Sequence, residues 1–233
     1  MSRRNEEICL WCNSQPADTR DHAPPESWFP APRPSTLVTV RACEECNRDW
    51  RDDADATRTD LLTHRTADRN LAAKPVQGAA MRAIAKSQGG SEMDKVLRRP
   101  IQKIWRPNEE GELEEVFQVE RTTEDTLRFH RVARRVIAAL AYRKMQLRFD
   151  FSLLLTLPLA DIDYAAHPRL DQLREYLHIV AHEEPRIIAP DIFEYRYWLS
   201  PDDPATSLWL LQFFRDHFVF GYTSPDVLFG EVR

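Results

Sequence analysis

Two short cysteine knuckles, Cys9-Leu10-Trp11-Cys12 and Cys43-Glu44-Glu45-Cys46, constrain what this chain can fold into more than any other feature. Two thiolates three residues apart can reach one ion from a single tight turn, so two such turns supply the four ligands of a tetrahedral structural zinc. A redox dithiol is the other use of this spacing. All four cysteines of the 233-residue chain lie in the knuckles, which leaves none for a disulfide framework.

Between the knuckles stands Thr19-Arg20-Asp21-His22, and Asn47 follows the last cysteine directly. A carboxylate and an amide carbonyl are oxygen ligands of the kind that Mg²⁺ or Mn²⁺ prefers. A histidine can serve as a base near neutral pH. Asp21, His22 and Asn47 are therefore candidates for a second, catalytic metal site attached to the first. The structural alternative keeps the zinc, makes Asp21 and His22 turn and packing residues, and leaves Asn47 as a helix-start residue. Asp55 lies two turns beyond Asn47, about 12 Å along a helix axis, too far to share one ion directly. His64, His130, His167, His178, His182 and His217 show no metal-ligand spacing.

The rest of the chain reads as α+β. Prolines 24, 25, 30 and 32 exclude a helix from the arm between the knuckles, Leu37 to Val40 favours a strand, and Glu44 to about Leu62 favours one helix. A helix is expected at Gln77 to Lys86 and a strand at Glu115 to Glu120. Thr122 with Asp125 forms a variant capping box for a long helix. Phe129, Val132, Ala133, Val136, Ile137, Leu140 and Ala141 make its apolar stripe, and Arg131, Arg134, Arg135 and Arg143 are expected on a solvated face. Phe149 to Leu159 reads as a buried strand and Arg169 to Leu177 as a short helix. The aromatic runs Phe193 to Trp198, Leu208 to Phe214 and Phe218 to Tyr222 read as an antiparallel meander.

A net charge of −5 argues against a surface that attracts nucleic acid all over, so any such binding rests on local patches. One candidate is Lys95, Arg98, Arg99, Lys103 and Arg106 with apolar residues interleaved. It is either a solvated face or a phosphate-tracking surface. The first seven residues carry no apolar targeting core, and the apolar run Phe151 to Ala160 is far short of a membrane span. A cytoplasmic protein without membrane contact is expected.

The stretch from Cys9 to Trp50 resembles the HNH, or ββα-metal, endonuclease superfamily of treble-clef zinc modules. It is most similar to the branch containing the phage junction-resolving endonuclease, which carries four zinc cysteines, an Asp-His pair and an Asn after the last cysteine. The Asp-His-x-x-Pro phrase, the Cys-x-x-Cys-Asn-x-x-Trp run and the Phe-x-Tyr strand at Phe193 also look like bacterial proteins called HNH endonucleases. The resemblance implies structural zinc on Cys9, Cys12, Cys43 and Cys46, a catalytic Mg²⁺ or Mn²⁺ on Asp21 and Asn47, and His22 as general base. Two positions depart from the pattern. The family's central Asn corresponds to Val38 here, and no Lys follows the last ligand, although Arg48 and Arg51 stand where a phosphate would be met.

The expected organisation is a zinc-stapled module over residues 1–70, a linker with the basic run over 71–114, and an α+β domain over 115–233. The expected function is hydrolysis of DNA phosphodiester bonds, with Arg48, Arg51, Arg98 and Arg99 on the nucleic acid and a homodimer compatible with the sequence. The reading from a different class is a non-catalytic zinc-binding adaptor that binds a protein or nucleic acid.

Overall fold

The computed structural model describes residues 7–63, 70–86, 101–107, 113–119, 122–146, 154–159, 170–203 and 205–224. Strand β1 (Thr19–Ala23) pairs antiparallel with β2 (Val38–Ala42), with Asp21 opposite Val40 and His22 opposite Thr39. Val38, Thr39 and Val40 suit a pleated surface, and Pro24 with Pro25 ends β1. A single 3₁₀ turn over Glu26–Trp28 then sinks the Trp28 side chain into the interior.

Two helices, α1 (Glu44–Asp49) and α2 (Arg51–Thr63), replace the one helix expected from Glu44 to Leu62. The break falls at Trp50, whose N–H turns back to the Arg48 carbonyl while its own carbonyl accepts from Ala54. Trp50 is buried, so the interruption delivers an indole to the interior at a point where a straight helix would have carried it elsewhere. Glu44 and Glu45 in the first turn of α1, and Asp52 and Asp53 in that of α2, suit the positive ends of the two helix dipoles.

Helix α3 (Lys74–Lys86) starts three residues earlier than its expected Gln77 boundary. Strands β3 (Ile101–Pro107) and β4 (Leu113–Val119) form a separate antiparallel hairpin. Lys95, Arg98 and Arg99 lie outside the described residues, whereas Lys103 and Arg106 belong to β3. Helix α4 (Thr123–Met145) opens on the expected capping box. The Thr122 hydroxyl accepts from the Asp125 amide, and Asp125 accepts from the Thr122 amide at 2.8 Å.

Strand β5 (Leu154–Pro158), helix α5 (Leu170–Ala181), and strands β6 (Arg186–Ala189), β7 (Phe193–Leu199), β8 (Ser207–Phe213) and β9 (His217–Thr223) complete the described chain. The five strands form one antiparallel sheet in the order β5-β9-β8-β7-β6, in which β7 to β9 are the expected meander and β6 is an edge strand the sequence reading did not include. Alternation along the strands gives the sheet two apolar faces. Trp209, Leu211, Phe213 and Val219 pack toward α4, whereas Leu208 and Phe220 pack with Leu173 and Val180 of α5.

Helix α4 is apolar on more than one side because it lies between the sheet and the N-terminal elements. Ala139 contacts Leu10, Ala23 and Val40 of the cysteine-bearing segment. Trp28 meets Phe213 and Phe214 with ring centroids 5.4 and 5.9 Å apart. One buried cluster thus runs from Trp28, Trp50 and Leu61 through Val132 and Ile137 to Trp209 and Phe213.

The arginines of α4 do not share one solvated face. Arg131 donates to both oxygens of Asp53, at 2.6 and 3.0 Å, and to Glu124 at 2.8 Å, clamping α4 to α2. Half-exposed pairs of this kind contribute about 1 kcal/mol or less each. Arg135 is largely covered, its side chain 14% exposed, and belongs to the site described below, while Arg143 is exposed.

Close contact between α4 and the sheet depends on Gly221 in β9. A Cβ there would fall 2.3 Å from Ile137 Cδ1 and 3.3 Å from Trp209 Cβ. Gly221→Ala should cost about 1–3 kcal/mol of stability through overpacking, and Ile137→Val in the same chain should restore part of it. Thermal or urea unfolding of the single and double variants measures both effects.

Candidate metal centre and adjoining cleft

The two knuckles meet as their spacing requires. In the first, Cys9 N–H donates to Gln15 O at 2.8 Å and Asn13 N–H to Cys9 O at 3.1 Å, with Asn13 in the left-handed region at φ 53°. In the second, Cys43 caps α1 and its sulfur accepts from the Cys46 amide at 3.5 Å. The four sulfurs lie within 4.8 Å of one another, and Cys12 Sγ is 3.9 Å from Cys43 Sγ. A tetrahedral zinc with Zn–S bonds of about 2.3 Å separates its sulfurs by about 3.8 Å. The cluster fits a zinc ion.

The thiols are unequal. The Ser14 hydroxyl and the backbone amides of Ser14 and Gln15 lower the Cys12 pKa to about 6, whereas burial and the neighbouring thiols push Cys46 upward. Metal uptake near neutral pH therefore has to expel protons from the cluster.

Strand β1 divides the Asp-His pair between its two faces. Asp21 is 5% exposed and turns toward α4. Its Oδ2 accepts from Trp11 Nε1 at 2.9 Å and from an Arg135 terminal nitrogen at 3.2 Å. The same nitrogen donates to the Cys46 carbonyl at 2.8 Å. The Arg135 guanidinium sits between two indoles, 4.2 Å from the centroid of Trp11 and 4.4 Å from that of Trp50. Burial pushes the Asp21 carboxyl above its ordinary pKa, with the Arg135 charge and the Trp11 N–H pulling the other way. Burial lowers the pKa of Arg135, and Asp21 opposes that shift.

His22 projects from the other face of β1. It is half-buried, and among the described residues its ring has no hydrogen-bond partner. Asn47 is tied to the same strand, its amide nitrogen donating to Thr19 Oγ1 and to the Arg20 carbonyl, each at 3.2 Å. Its amide oxygen has no partner among the described residues.

Asp21, His22 and Asn47 all line one cleft of roughly 250 Å³, with Arg20, Arg51 and Trp50 in its wall. Glu26 and Asp55 line it as well. Asp55 thus reaches the cleft that the axial estimate had separated from Asn47. Arg48 is exposed beside Asp49 at 3.6 Å and is not among the cleft residues. Among the described residues, the four cysteines are the one group of three or more His, Cys, Asp or Glu side chains close enough to hold an ion. Comparison with protein-family models, curated proteins and solved structures finds no match to this chain.

Sequence reasoning did not reach Arg20 or Arg135. Arg20 adjoins Asp21 on a strand that ends at the cleft, a signal that was legible in principle. Arg135 lies 114 residues from Asp21 and is spaced like its neighbours on the helix, so nothing local distinguishes it.

Because the knuckles and α4 share one core, loss of metal should weaken the whole fold in a single transition. Chelation, or Cys43→Ser, should lower one melting temperature instead of releasing an independent N-terminal melt, as followed by calorimetry. Zinc affinity, read by competition with a chelator, should fall as pH falls. The slope of log K against pH should steepen by about one proton below about pH 6, where Cys12 also protonates.

Proposed function

We propose that this chain is a metal-dependent endonuclease of the HNH type, hydrolysing DNA phosphodiester bonds from the cleft beside its Cys₄ cluster. The observation that carries this reading is the convergence of Asp21, His22 and Asn47 on one cleft walled by Arg20 and Arg51. The cluster joins the first knuckle to the start of α1, and Asn47 of α1 bridges to β1. Asp21 and the Asn47 amide oxygen are the groups that would hold Mg²⁺ or Mn²⁺, a hard cation suited to such donors. When bound, that cation stabilises charge developing at the scissile phosphate.

The protein's own part is positional and basic. Asn47 spends its amide nitrogen on β1, so its oxygen remains for a ligand. His22, with no competing hydrogen bond among the described residues, accepts a proton from the attacking water. Arg20 and Arg51 face the phosphate backbone, a contact that positions DNA without reading its sequence.

A second reading has a specific observation in its favour. Asp21 is held in a buried ion pair with Arg135, which is what a purely structural carboxylate would do. The chain would then be a non-catalytic zinc-binding adaptor.

Two measurements separate the readings. Purified protein with Mn²⁺ should nick supercoiled plasmid, and His22→Ala should reduce the rate at least about 100-fold while leaving zinc content unchanged. Equal background nicking by both proteins on duplex, single-stranded and branched DNA would exclude the nuclease. Mn²⁺ binding, read by electron paramagnetic resonance, should weaken in Asp21→Asn and Asn47→Ala. An adaptor should bind no Mn²⁺ in any of these forms.

A further inference from the structure

We infer that Arg135, carried on α4 and far from the cysteine-bearing segment in sequence, is a positioning residue for Asp21, resting on the nuclease reading above. The two side-chain donors to Asp21, Trp11 and Arg135, both fall on Oδ2. Two donors on one oxygen stop the carboxylate turning about its own axis. The His22 backbone N–H also donates to this carboxylate, but no side chain engages Oδ1, so a cation using Asp21 would meet it through that oxygen, in the monodentate manner that suits Mg²⁺.

Arg135 can do this because it is itself immobilised. Its side chain is 14% exposed and is clamped between the Trp11 and Trp50 rings. Its terminal nitrogen is shared between Asp21 and the Cys46 carbonyl. Trp11 belongs to the first knuckle, Cys46 to the second, and Trp50 is the residue at which the helix breaks. Both knuckles and the helix break thus fix one guanidinium, which in turn fixes one carboxylate. A lysine cannot substitute, since a tetrahedral ammonium neither lies flat between two indoles nor keeps a planar fork.

The test is a double-mutant cycle on the full-length zinc-loaded protein, with Mn²⁺ as the probe. Arg135→Met keeps an unbranched stem between the indoles, and Arg135→Lys keeps the charge. Both should retain one zinc per chain and near-native circular dichroism. Arg135→Met should weaken Mn²⁺ binding about tenfold or more and slow plasmid nicking in proportion, and Arg135→Lys should recover little of either. In an Asp21→Asn background, adding Arg135→Met should change Mn²⁺ affinity by less than about twofold, because its route of action is already gone. A residue supporting only the fold would instead give multiplying losses, and that outcome overturns the inference. So does tighter Mn²⁺ binding by Arg135→Met, which would make Arg135 a competitor of the ion. If wild-type protein neither binds Mn²⁺ nor cuts, the nuclease reading falls and the inference with it. If wild type does both and Arg135→Met matches it, the inference alone falls.

Discussion

Four sulfurs held within 4.8 Å of one another are the constraint on which the N-terminal half depends. They draw a turn at Cys9 to Cys12, the end of β2 and the start of α1 into one knot. Few large apolar side chains lie in that segment apart from Trp11, Trp28, Phe29 and Trp50, and three of these four spend their surface on contacts outside the knot. A zinc ion would supply the cohesion that apolar burial does not. The remaining stability comes from α4, which closes over the hairpin with Ala139 and over α2 with Arg131.

A buried carboxylate and a buried guanidinium side by side are poor evidence for stability in themselves. Desolvating both charges costs about as much as their attraction returns, whereas deleting one partner leaves a buried charge worth about 3–5 kcal/mol of instability. Asp21 and Arg135 reduce that cost with a tryptophan N–H, a backbone carbonyl and two aromatic faces. These contacts are the compensation that a buried ion pair needs in order to persist.

What could be read in the sequence was what short-range chemistry specifies. The knuckles, the Thr122 cap, the stripe of α4 and the meander from Phe193 to Tyr222 each depend on spacing within a few residues, and each stands where it was expected. The break at Trp50 was not legible, because Arg48 to Arg51 contains no glycine or proline and the core that buries the indole is built largely from residues distant in sequence. The roles of Arg131 and Arg135 were hidden for the same reason. Their partners, Asp53 and Asp21, lie 78 and 114 residues away, and a charged residue on a helix looks solvated until its neighbour is known. Of the candidate site, Asp21, His22 and Asn47 are brought to one cleft together with Arg51. Arg98 and Arg99 lie outside the described residues, and Arg20 and Arg135 enter from the structure.

The span between Asp21 and Arg135 also has a consequence in time. During synthesis the hairpin, both knuckles and α1 leave the ribosome before α4 exists. At about 5–20 residues per second, the 114 residues separating the two partners take on the order of ten seconds to follow. Through that interval the four thiols can gather around a metal, but the carboxylate between them and the two indoles have no covering helix. The nascent chain can gather its four thiols first, and Asp21 gains its Arg135 partner only once enough of the polypeptide has been made for α4 to fold over the hairpin.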